Sequence, residues 1–338
     1  MIISRLLLAL SALVAASMLS AVVTWAIRPL LLRHALARPN ARSSHRIPTP
    51  QGAGIAVIAA TLVVAGAIIA CAGTTDLKVP AAIFAASLFI AIVGFTDDVK
   101  SIDVLPRLLL QAAAVAAIIF TSSGDLRIVP ACPLWIERGI LLLAGLWFVN
   151  LVNFMDGLDL MTVAEVVPIT SAMVTLGISA DFPASATLVA AALCGAMLGF
   201  APFNRPVAKI FLGDVGSLPI GLLLGWCLLQ LALDGHFAAA LLLPMYYLFD
   251  ATATLLRRMA RREPFWAAHR SHFYQRATDN GFSVWRVVRE VFALNVVLAA
   301  LAIKSVAAPS AAVGVLLLVV GSLATASLMY RFSQRRSS

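Results

Sequence analysis

The chain has 338 residues, of which 61% are hydrophobic and only 12% are charged, and its mean hydropathy is +0.96. A soluble domain carries about 25% charged residues, so this composition excludes a water-soluble globular protein. The formal net charge of +9 invites a nucleic-acid-binding interpretation, but the distribution of that charge along the chain favours another explanation.

Eleven apolar segments along the chain are long enough to cross about 30 Å of hydrocarbon. They are continuously apolar rather than alternating, so they predict helices and not the strands of a barrel. The first could be a signal peptide, but it is too long and lacks a clear small-residue cleavage site, so we expect it to be retained. The predicted spans are 6–27, 52–73, 79–95, 105–121, 139–154, 161–178, 184–200, 217–233, 237–255, 287–303 and 309–329.

The basic residues predict the orientation of these spans. If the C-terminus is cytoplasmic, the cytoplasmic loops and their flanks carry 20 of the 25 Lys and Arg residues. Such an asymmetry follows the positive-inside rule, so the positive charge is explained without nucleic acid. The sequence therefore predicts an all-α polytopic membrane protein of about eleven transmembrane helices, in a single domain over 1–338. Its N-terminus would be periplasmic and its C-terminus cytoplasmic.

The four cysteines are scattered and mostly lie inside predicted spans. No two of them have the spacing of a metal site, and no disulfide framework is indicated. We expect them to be packing residues; they are Cys71, Cys132, Cys194 and Cys227.

Five polar clusters interrupt the apolar pattern, and all of them fall on the predicted cytoplasmic face. The predicted outside loops carry no comparable constellation. In chain order the clusters are RSSHRIPTPQGAG (42–54), GFTDDVK (94–100), NLVNFMDGLD (150–159), FNRPVAKIFLGDVGS (203–217) and HRSHFYQR (269–276).

Each cluster also has an ordinary structural interpretation. Asp97 and Asp98 could be a polar helix end, and the stripe of Asn150, Asn153 and Asp156 could make interhelical hydrogen bonds. The segment 213–217 could be a turn with an N-cap, and the two histidines of the last cluster could be solvated. Several such clusters on one face are harder to dismiss together, so we expect a functional site there.

Phosphate chemistry suits this set of residues. Several carboxylates without thiols favour a hard cation such as Mg²⁺, bound by one or two carboxylates and by substrate phosphate oxygens. Glycines around Asp214 let the backbone approach a phosphate closely, and Arg and His side chains supply donors. Zinc is disfavoured because His269 and His272 have no third ligand nearby in sequence.

With these motifs in view, the chain resembles the polyprenyl-phosphate N-acetylhexosamine-1-phosphate transferases, the superfamily that includes the phospho-N-acetylmuramoyl-pentapeptide transferases. The resemblance runs from residue 43 to 276 in the family's order and includes the segment LFDATATLLRR at 248–258. The form HRSHFYQR is more similar to the branch that acts in O-antigen and related surface-glycan synthesis than to the peptidoglycan branch. One departure is Leu160, where the family usually has Gly.

The resemblance implies that undecaprenyl phosphate attacks a UDP-N-acetylhexosamine at a bacterial inner membrane, releases UMP and leaves a lipid-linked sugar pyrophosphate. It implies active-site loops at 28–51, 96–104, 154–160, 201–216 and 256–286, and Mg²⁺ or Mn²⁺ as the cofactor. Catalytic roles fall to Asp97, Asp98 and Asp214, with Asp214 as the metal ligand. The residues that the resemblance places at the substrates are His45, Lys100, Asn150, Asn153, Asp156, His269, Arg270 and His272.

Asp250 and Glu165 also fall on family positions, and an ion pair of Asp250 with Arg257 or Arg258 is an equally good interpretation of that acid. The runner-up function is peptidoglycan muramoyl-pentapeptide transfer. A transporter of an anionic solute is disfavoured because the acids lie at span ends rather than near the bilayer midplane, and a structural scaffold needs no such one-sided set of carboxylates. A homodimer is left open.

Overall fold

The computed structural model describes residues 2–37, 48–71, 78–121, 127–179, 182–264, 269–308 and 310–335. Within these ranges the regular secondary structure is helical, apart from two strands of two residues each. The long helices are α1 (Ile2–His34), α2 (Gly54–Cys71), α3 (Lys78–Val99), α4 (Val104–Thr121), α5 (Leu134–Met155), α6 (Met161–Ser179), α7 (Ala184–Phe200), α8 (Asp214–Leu233), α10 (Met245–Ala260), α12 (Val284–Ala307) and α13 (Ala311–Ser333). The short elements are β1 (Leu36–Ala37), β2 (Thr49–Pro50), the 3₁₀ turn Ala201–Phe203, α9 (Phe237–Leu242) and α11 (Phe273–Asp279).

The predicted all-α membrane architecture is confirmed, with one change. Ten described helices are long and apolar enough to cross a membrane. The ninth predicted span, 237–255, is divided between two helices: α9 ends at Leu242 and α10 begins at Met245. Pro244 lies between them, and proline has no N–H for the helical ladder and disfavours helix at the residue before it. The span prediction missed this interruption because it scored hydropathy alone.

Three helices form the centre of the bundle. Most residues of α6, α7 and α8 are buried by other helices, whereas α1 and α13 expose large apolar side chains such as Trp25 and Leu323. In a bilayer such outward apolar side chains face lipid. One buried polar pair joins α6 to α12, where Asn295 donates to Glu165 Oε2 at 2.6 Å. Glu165 thus contacts a neighbouring helix inside the bundle.

Glycines set the closest helix crossings. A Cβ atom added at Gly195 would lie 2.0 Å from the carbonyl oxygen of Leu13, so only glycine lets α7 approach α1 this closely. At the other crossing, a Cβ at Gly54 would lie 2.2 Å from Cα of Gly216, and one at Gly94 would lie 2.3 Å from the carbonyl oxygen of Asp214. Small residues at helix contacts are the usual means of close packing in membranes. The start of α8 is therefore in backbone contact with α2 and α3.

Backbone hydrogen bonds bring distant loops together at this end of the bundle. Strand β1 pairs antiparallel with β2, with Leu36 opposite Pro50. The chain after β2 then pairs with the segment before α8: Gly52 N–H donates to the Phe211 carbonyl at 3.1 Å, and Gly54 N–H donates to the Leu212 carbonyl at 2.8 Å. The first and fourth polar clusters are joined in this way.

Candidate active site

The carboxylate of Asp98, at the end of α3, holds the start of α8. Its oxygens accept the backbone N–H groups of Asp214 and Val215, each at 3.0 Å. Gly213 precedes them with φ +78°, and a Cβ there would lie 2.6 Å from Asp98 Oδ2. Glycine is required at that position for both reasons. The glycine beside Asp214 therefore makes room for a carboxylate of the same chain.

Asp214 lies beside the end of α5. Asn153 Nδ2 donates to Asp214 Oδ1 at 2.7 Å and to Ser217 Oγ at 2.9 Å. The other oxygen of Asp214 is 4.0 Å from Arg107 Nη1. The structure thus brings together residues of the second, third and fourth clusters, as the sequence predicted.

Asp97 is occupied by partners of its own. Its Oδ2 accepts from Arg107 Nη1 at 2.7 Å, and its Oδ1 accepts the Ile102 N–H at 2.6 Å. Arg107 thus lies between Asp97 and Asp214. Sequence reasoning counted Arg107 only as a topogenic charge, because a separation of ten residues across a helix break gives no periodic signal.

The turn after α5 is fixed from several sides. Asp156 accepts a hydrogen bond from the hydroxyl of Thr162. Asp159 Oδ2 accepts the Ala208 N–H at 3.0 Å, and the Leu160 N–H donates to Asn204 Oδ1 at 2.7 Å. These bonds join the third cluster to the fourth. Asp159 and Asn204 were missed as positioning residues, although both lie inside the quoted motifs.

Leu160 has a left-handed backbone, with φ +61°. A β-carbon in this region costs about 1 kcal/mol, whereas glycine adopts it freely. The structure therefore gives a physical reason why glycine suits this position. In this chain the Leu160 side chain is 9% exposed and packs in the core, so apolar burial offsets the backbone cost.

Asp156 has a raised pKa because it is buried and lies near other carboxylates. Burial, followed by the charges of Asp98 and Asp159, raises the pKa of the Asp156 carboxyl to about 7, against the opposing hydrogen bond from Thr162. Its protonation state therefore changes near neutral pH. Asp98 and Asp159 therefore lie close enough to Asp156 for their charges to act on its carboxyl.

The two predicted histidines stack on each other. The ring centroids of His269 and His272 are 5.0 Å apart, and the Tyr274 ring follows at 5.7 Å from His272. His272 Nδ1 is 3.1 Å from Asp250 Oδ1. The Asp250 carboxylate accepts a hydrogen bond from Nδ1–H, and this contact leaves Nε2 as the ring nitrogen that does not face Asp250.

Asp250 organises this segment as a whole. It is fully buried and also accepts the backbone N–H groups of Phe273 and Tyr274, at 3.0 and 3.1 Å. An ion pair of Asp250 with Arg257 or Arg258, which the sequence left open, is absent among the described residues, and Arg258 pairs with Glu263 at 2.8 Å. Asp250 therefore fixes the conformation of residues 269–276, which we call the histidine segment.

The histidine segment also closes on the turn after α5. The Tyr274 hydroxyl donates to the Phe154 carbonyl at 3.0 Å. A Cβ at Gly157 would lie 2.2 Å from the same hydroxyl. The third and fifth clusters are therefore in direct contact.

The predicted substrate-binding residues also include Asn150, Lys100 and His45. Asn150 Nδ2 donates to Gln111 Oε1 at 2.6 Å and to the Leu146 carbonyl, and Asn150 is 6% exposed, which fits the interhelical interpretation of its stripe. Lys100 is exposed at the end of α3, and within the described ranges its side chain makes no ion pair with the carboxylates. His45 lies outside the described residues.

The chain is similar to known transferases over part or most of its length. Residues 80–232 match the family model described as Glycosyl transferase family 4. A probable undecaprenyl-phosphate N-acetylglucosaminyl 1-phosphate transferase of Bacillus subtilis is 29% identical over 293 residues, which cover 80% of this chain and 78% of that protein. A decaprenyl-phosphate N-acetylglucosaminephosphotransferase of Mycolicibacterium smegmatis is 28% identical, over 79% of this chain and 74% of that protein.

A second kind of relative matches a smaller part of the chain. A phospho-N-acetylmuramoyl-pentapeptide-transferase of Streptococcus pneumoniae is 28% identical over 180 residues, which cover 49% of this chain and 54% of that protein. Together these similarities support the superfamily that the sequence motifs indicate.

Proposed function

We propose that this member of the polyprenyl-phosphate N-acetylhexosamine-1-phosphate transferase superfamily moves an N-acetylhexosamine 1-phosphate from a UDP-sugar to undecaprenyl phosphate. An oxygen of the lipid phosphate forms a bond to the β-phosphorus of the UDP-sugar, and the bond from that phosphorus to UMP breaks. One phosphoanhydride replaces another, so catalysis must come mainly from positioning and charge stabilisation.

The observation that carries the proposal is the meeting of Asp98, Asn153 and Asp214 at the ends of three membrane helices. A lipid phosphate reaches such a place from the bilayer, and a nucleotide sugar reaches it from water. We place this face in the cytoplasm on the distribution of basic residues, in the inner membrane of a bacterium. A homodimer stays a prediction.

The donor atoms fit Mg²⁺. Among the described residues, no group of three or more His, Cys, Asp or Glu side chains is arranged to hold a metal by itself. Mg²⁺ is usually held by one or two carboxylates together with substrate phosphates. The carboxylates of Asp97, Asp98 and Asp214 offer it hard oxygen donors. Asp214 would hold the ion, with Asp98 behind it. When bound, the ion would neutralise charge on the phosphates.

The residues of this chain would divide the remaining work. Arg107 lies between Asp97 and Asp214, where its guanidinium would stabilise negative charge on a phosphate. Asp97 would orient that guanidinium and, on substrate binding, either position the lipid phosphate or receive its proton. Asn153 fixes Asp214, and His272, held by Asp250, would present Nε2 to the phosphates or the sugar.

For the donor we propose UDP-N-acetylglucosamine, because the two relatives that align with about four-fifths of this chain are named for N-acetylglucosamine transfer. The muramoyl-pentapeptide relative aligns with about half of it, so that donor is the second candidate. The motif at 269–276 supports surface-glycan initiation, as in O-antigen synthesis, as the pathway.

The experiment is a transfer assay with purified protein, undecaprenyl phosphate and a panel of UDP-sugars, read out as UMP release and as lipid-linked product. We expect turnover with UDP-N-acetylglucosamine and Mg²⁺, and loss of turnover in EDTA. Turnover with UDP-N-acetylmuramoyl-pentapeptide alone would establish the second candidate. No turnover with any donor, while an active relative works in the same detergent, would overturn the proposal.

A further inference from the structure

A pocket lined by arginines lies beside the histidine segment, which contributes part of its lining. It is open, has a volume of about 300 Å³ and is lined by Arg257, Arg261, Arg270, Ser271 and Arg276. We call it the arginine pocket. Its lining comes from the end of α10, from the segment before α11 and from α11 itself.

The arginine pocket is poorly neutralised. Arg270 is 3.2 Å from Asp279, which is the one ion pair that its four arginines make among the described residues. Arg257 donates to the Ser271 carbonyl and lies 5.1 Å from the centroid of the Phe273 ring. Arg276 lies 5.8 Å from the centroid of the same ring. Four arginines therefore share one direct ion pair, and the carboxylates of Asp250 and Glu263 act on Arg257 only from a greater distance.

These charges also act on one another. Burial, followed by the charges of Arg276 and Arg261, lowers the pKa of the Arg257 guanidinium. Arginines that serve only topology have no reason to converge, since the positive-inside rule requires a side of the membrane and not a pocket. A solvated helix face would let the side chains diverge. The unfavourable convergence indicates that an anion completes the pocket.

The arginine pocket adjoins the candidate active site. His269 and His272 stack together and continue towards Tyr274, which contacts the turn after α5. Arg270 and Ser271, between the two histidines in sequence, line the pocket instead. The histidine segment thus contributes residues both to the positively charged arginine pocket and to the neighbouring candidate active site, which is rich in carboxylates.

We propose that the arginine pocket binds a phosphate-bearing anion through forked guanidinium contacts. Two sources carry this chemistry: the diphosphate of the nucleotide sugar, and the headgroup of an anionic phospholipid at the membrane surface. The choice between the sources rests on the proposed function, whereas binding of the anion itself does not.

Binding is tested with inorganic pyrophosphate, without divalent cations, by the rise in melting temperature of the full chain in neutral detergent. The variants are Arg261→Gln, Arg276→Gln and the double variant, and the control is Arg289→Gln, an exposed arginine on α12. We expect saturable stabilisation of the native protein and of the control. Each single variant should bind about 10-fold more weakly or worse, the effect of losing one charged hydrogen bond.

Without ligand, the variants should melt at or above the native temperature in low salt, because each removes a repelling charge. Such melting temperatures would show that the variants fold normally and that their weaker pyrophosphate binding has another cause. Equal pyrophosphate responses in the double variant and the control, or no response in the native protein, would overturn the proposal.

Two further measurements identify the source. If the nucleotide diphosphate fills the pocket, the double variant should raise the KM for the UDP-sugar about 10-fold or more and change kcat less. If a headgroup fills it, KM should stay constant, and the extra thermal stability in phosphatidylglycerol over phosphatidylcholine nanodiscs should be lost. A failed transfer assay would leave the pyrophosphate result standing, so the two proposals fail separately.

Discussion

Asp98 and Asp214 are joined by a hydrogen bond of 3.0 Å from the backbone N–H of Asp214 to the side chain of Asp98. The other carboxylate oxygen of Asp98 accepts the next N–H, that of Val215. The first N–H groups of a helix have no partner inside it, and the positive end of the helix dipole favours a carboxylate. Asp98 is therefore the N-terminal cap of α8 and fixes the position of Asp214.

The cap predicts the sign of a stability change. In Asp98→Asn an amide NH₂ group replaces one of the two accepting oxygens and cannot accept a hydrogen bond. One of the two backbone N–H groups at the start of α8 then loses its acceptor, so we expect the free energy of unfolding to fall by about 1–3 kcal/mol. Transfer activity should fall about 10²–10³-fold. Repulsion among crowded carboxylates alone predicts the opposite, a stable or stabilised variant. Melting temperature and turnover are compared with Asp103→Asn, an exposed carboxylate on the turn after α3 that should change neither.

Asp250 should matter more to the fold than a single hydrogen bond does. Asp250→Asn cannot satisfy the donors of His272, Phe273 and Tyr274 together, and we expect a loss of about 3 kcal/mol or more. Tyr246→Phe removes one hydrogen bond to the same carboxylate and should cost about 1 kcal/mol. Trypsin should cut the Asp250→Asn protein faster at Arg270 than the Tyr246→Phe protein. Equal cutting rates would contradict the organising role.

At Leu160 we expect the glycine variant to be more stable than the alanine variant, which is the reverse of the usual order. Leu160→Ala loses packing and keeps the left-handed β-carbon, whereas Leu160→Gly loses packing and relieves the backbone. We expect Leu160→Gly to be more stable than Leu160→Ala by about 1 kcal/mol. At Leu158, which is buried in the same turn without a positive φ, alanine should be the more stable. Melting temperatures of the four variants decide the question.

Asp156 predicts a pH dependence of stability. Because its folded pKa of about 7 lies above the ordinary value of 3.8, the folded state holds the proton more tightly than the unfolded state. The stability that this group contributes is complete below pH 4 and is lost as pH rises through 7. Asp156→Asn should therefore gain on the native protein between pH 5 and pH 8, by about 2–4 °C in melting temperature. A constant difference across that range would show that Asp156 does not titrate there.

The orientation is tested by reporter fusions. The 20 to 5 division of Lys and Arg residues predicts a cytoplasmic reporter after Ser338 and a periplasmic one at Asp181. A fusion near Gly213 should also report the cytoplasm. If it reported the periplasm, the proposed access of nucleotide sugar to Asp214 would be wrong.

Much of the fold follows from the sequence because a bilayer allows few solutions. Apolar length alone located the ten described spans, although the first helix continues to His34, beyond the predicted end at 27. The interrupted helix at Pro244 was missed because hydropathy averages over a single proline. A scan for proline within the apolar runs would have found it, although Pro168 and Pro219 lie inside unbroken helices, so the signal is ambiguous.

The composition of the site was predictable, but its pairings were not. The motifs gave Asp97, Asp98 and Asp214 as a set, yet nothing in their spacing separates a carboxylate that caps a helix from one that pairs with Arg107. Such roles depend on which oxygen meets which donor across more than 100 residues of sequence. Asn150 shows the same limit, because the stripe that suggested substrate contact also suits its bond to Gln111.

The glycine contacts of α8 bear on how ligands can act on this protein. Gly54 and Gly94 bring the backbones of α2 and α3 against the first turn of α8, so Asp214 cannot shift unless two other membrane helices shift with it. The histidine segment is held instead through side chains, those of Asp250 and Tyr274. An inhibitor that contacts only the carboxylates would therefore meet a geometry set by helix packing. The contact of one that also reaches His272 would depend on the side chain of Asp250, which positions that ring.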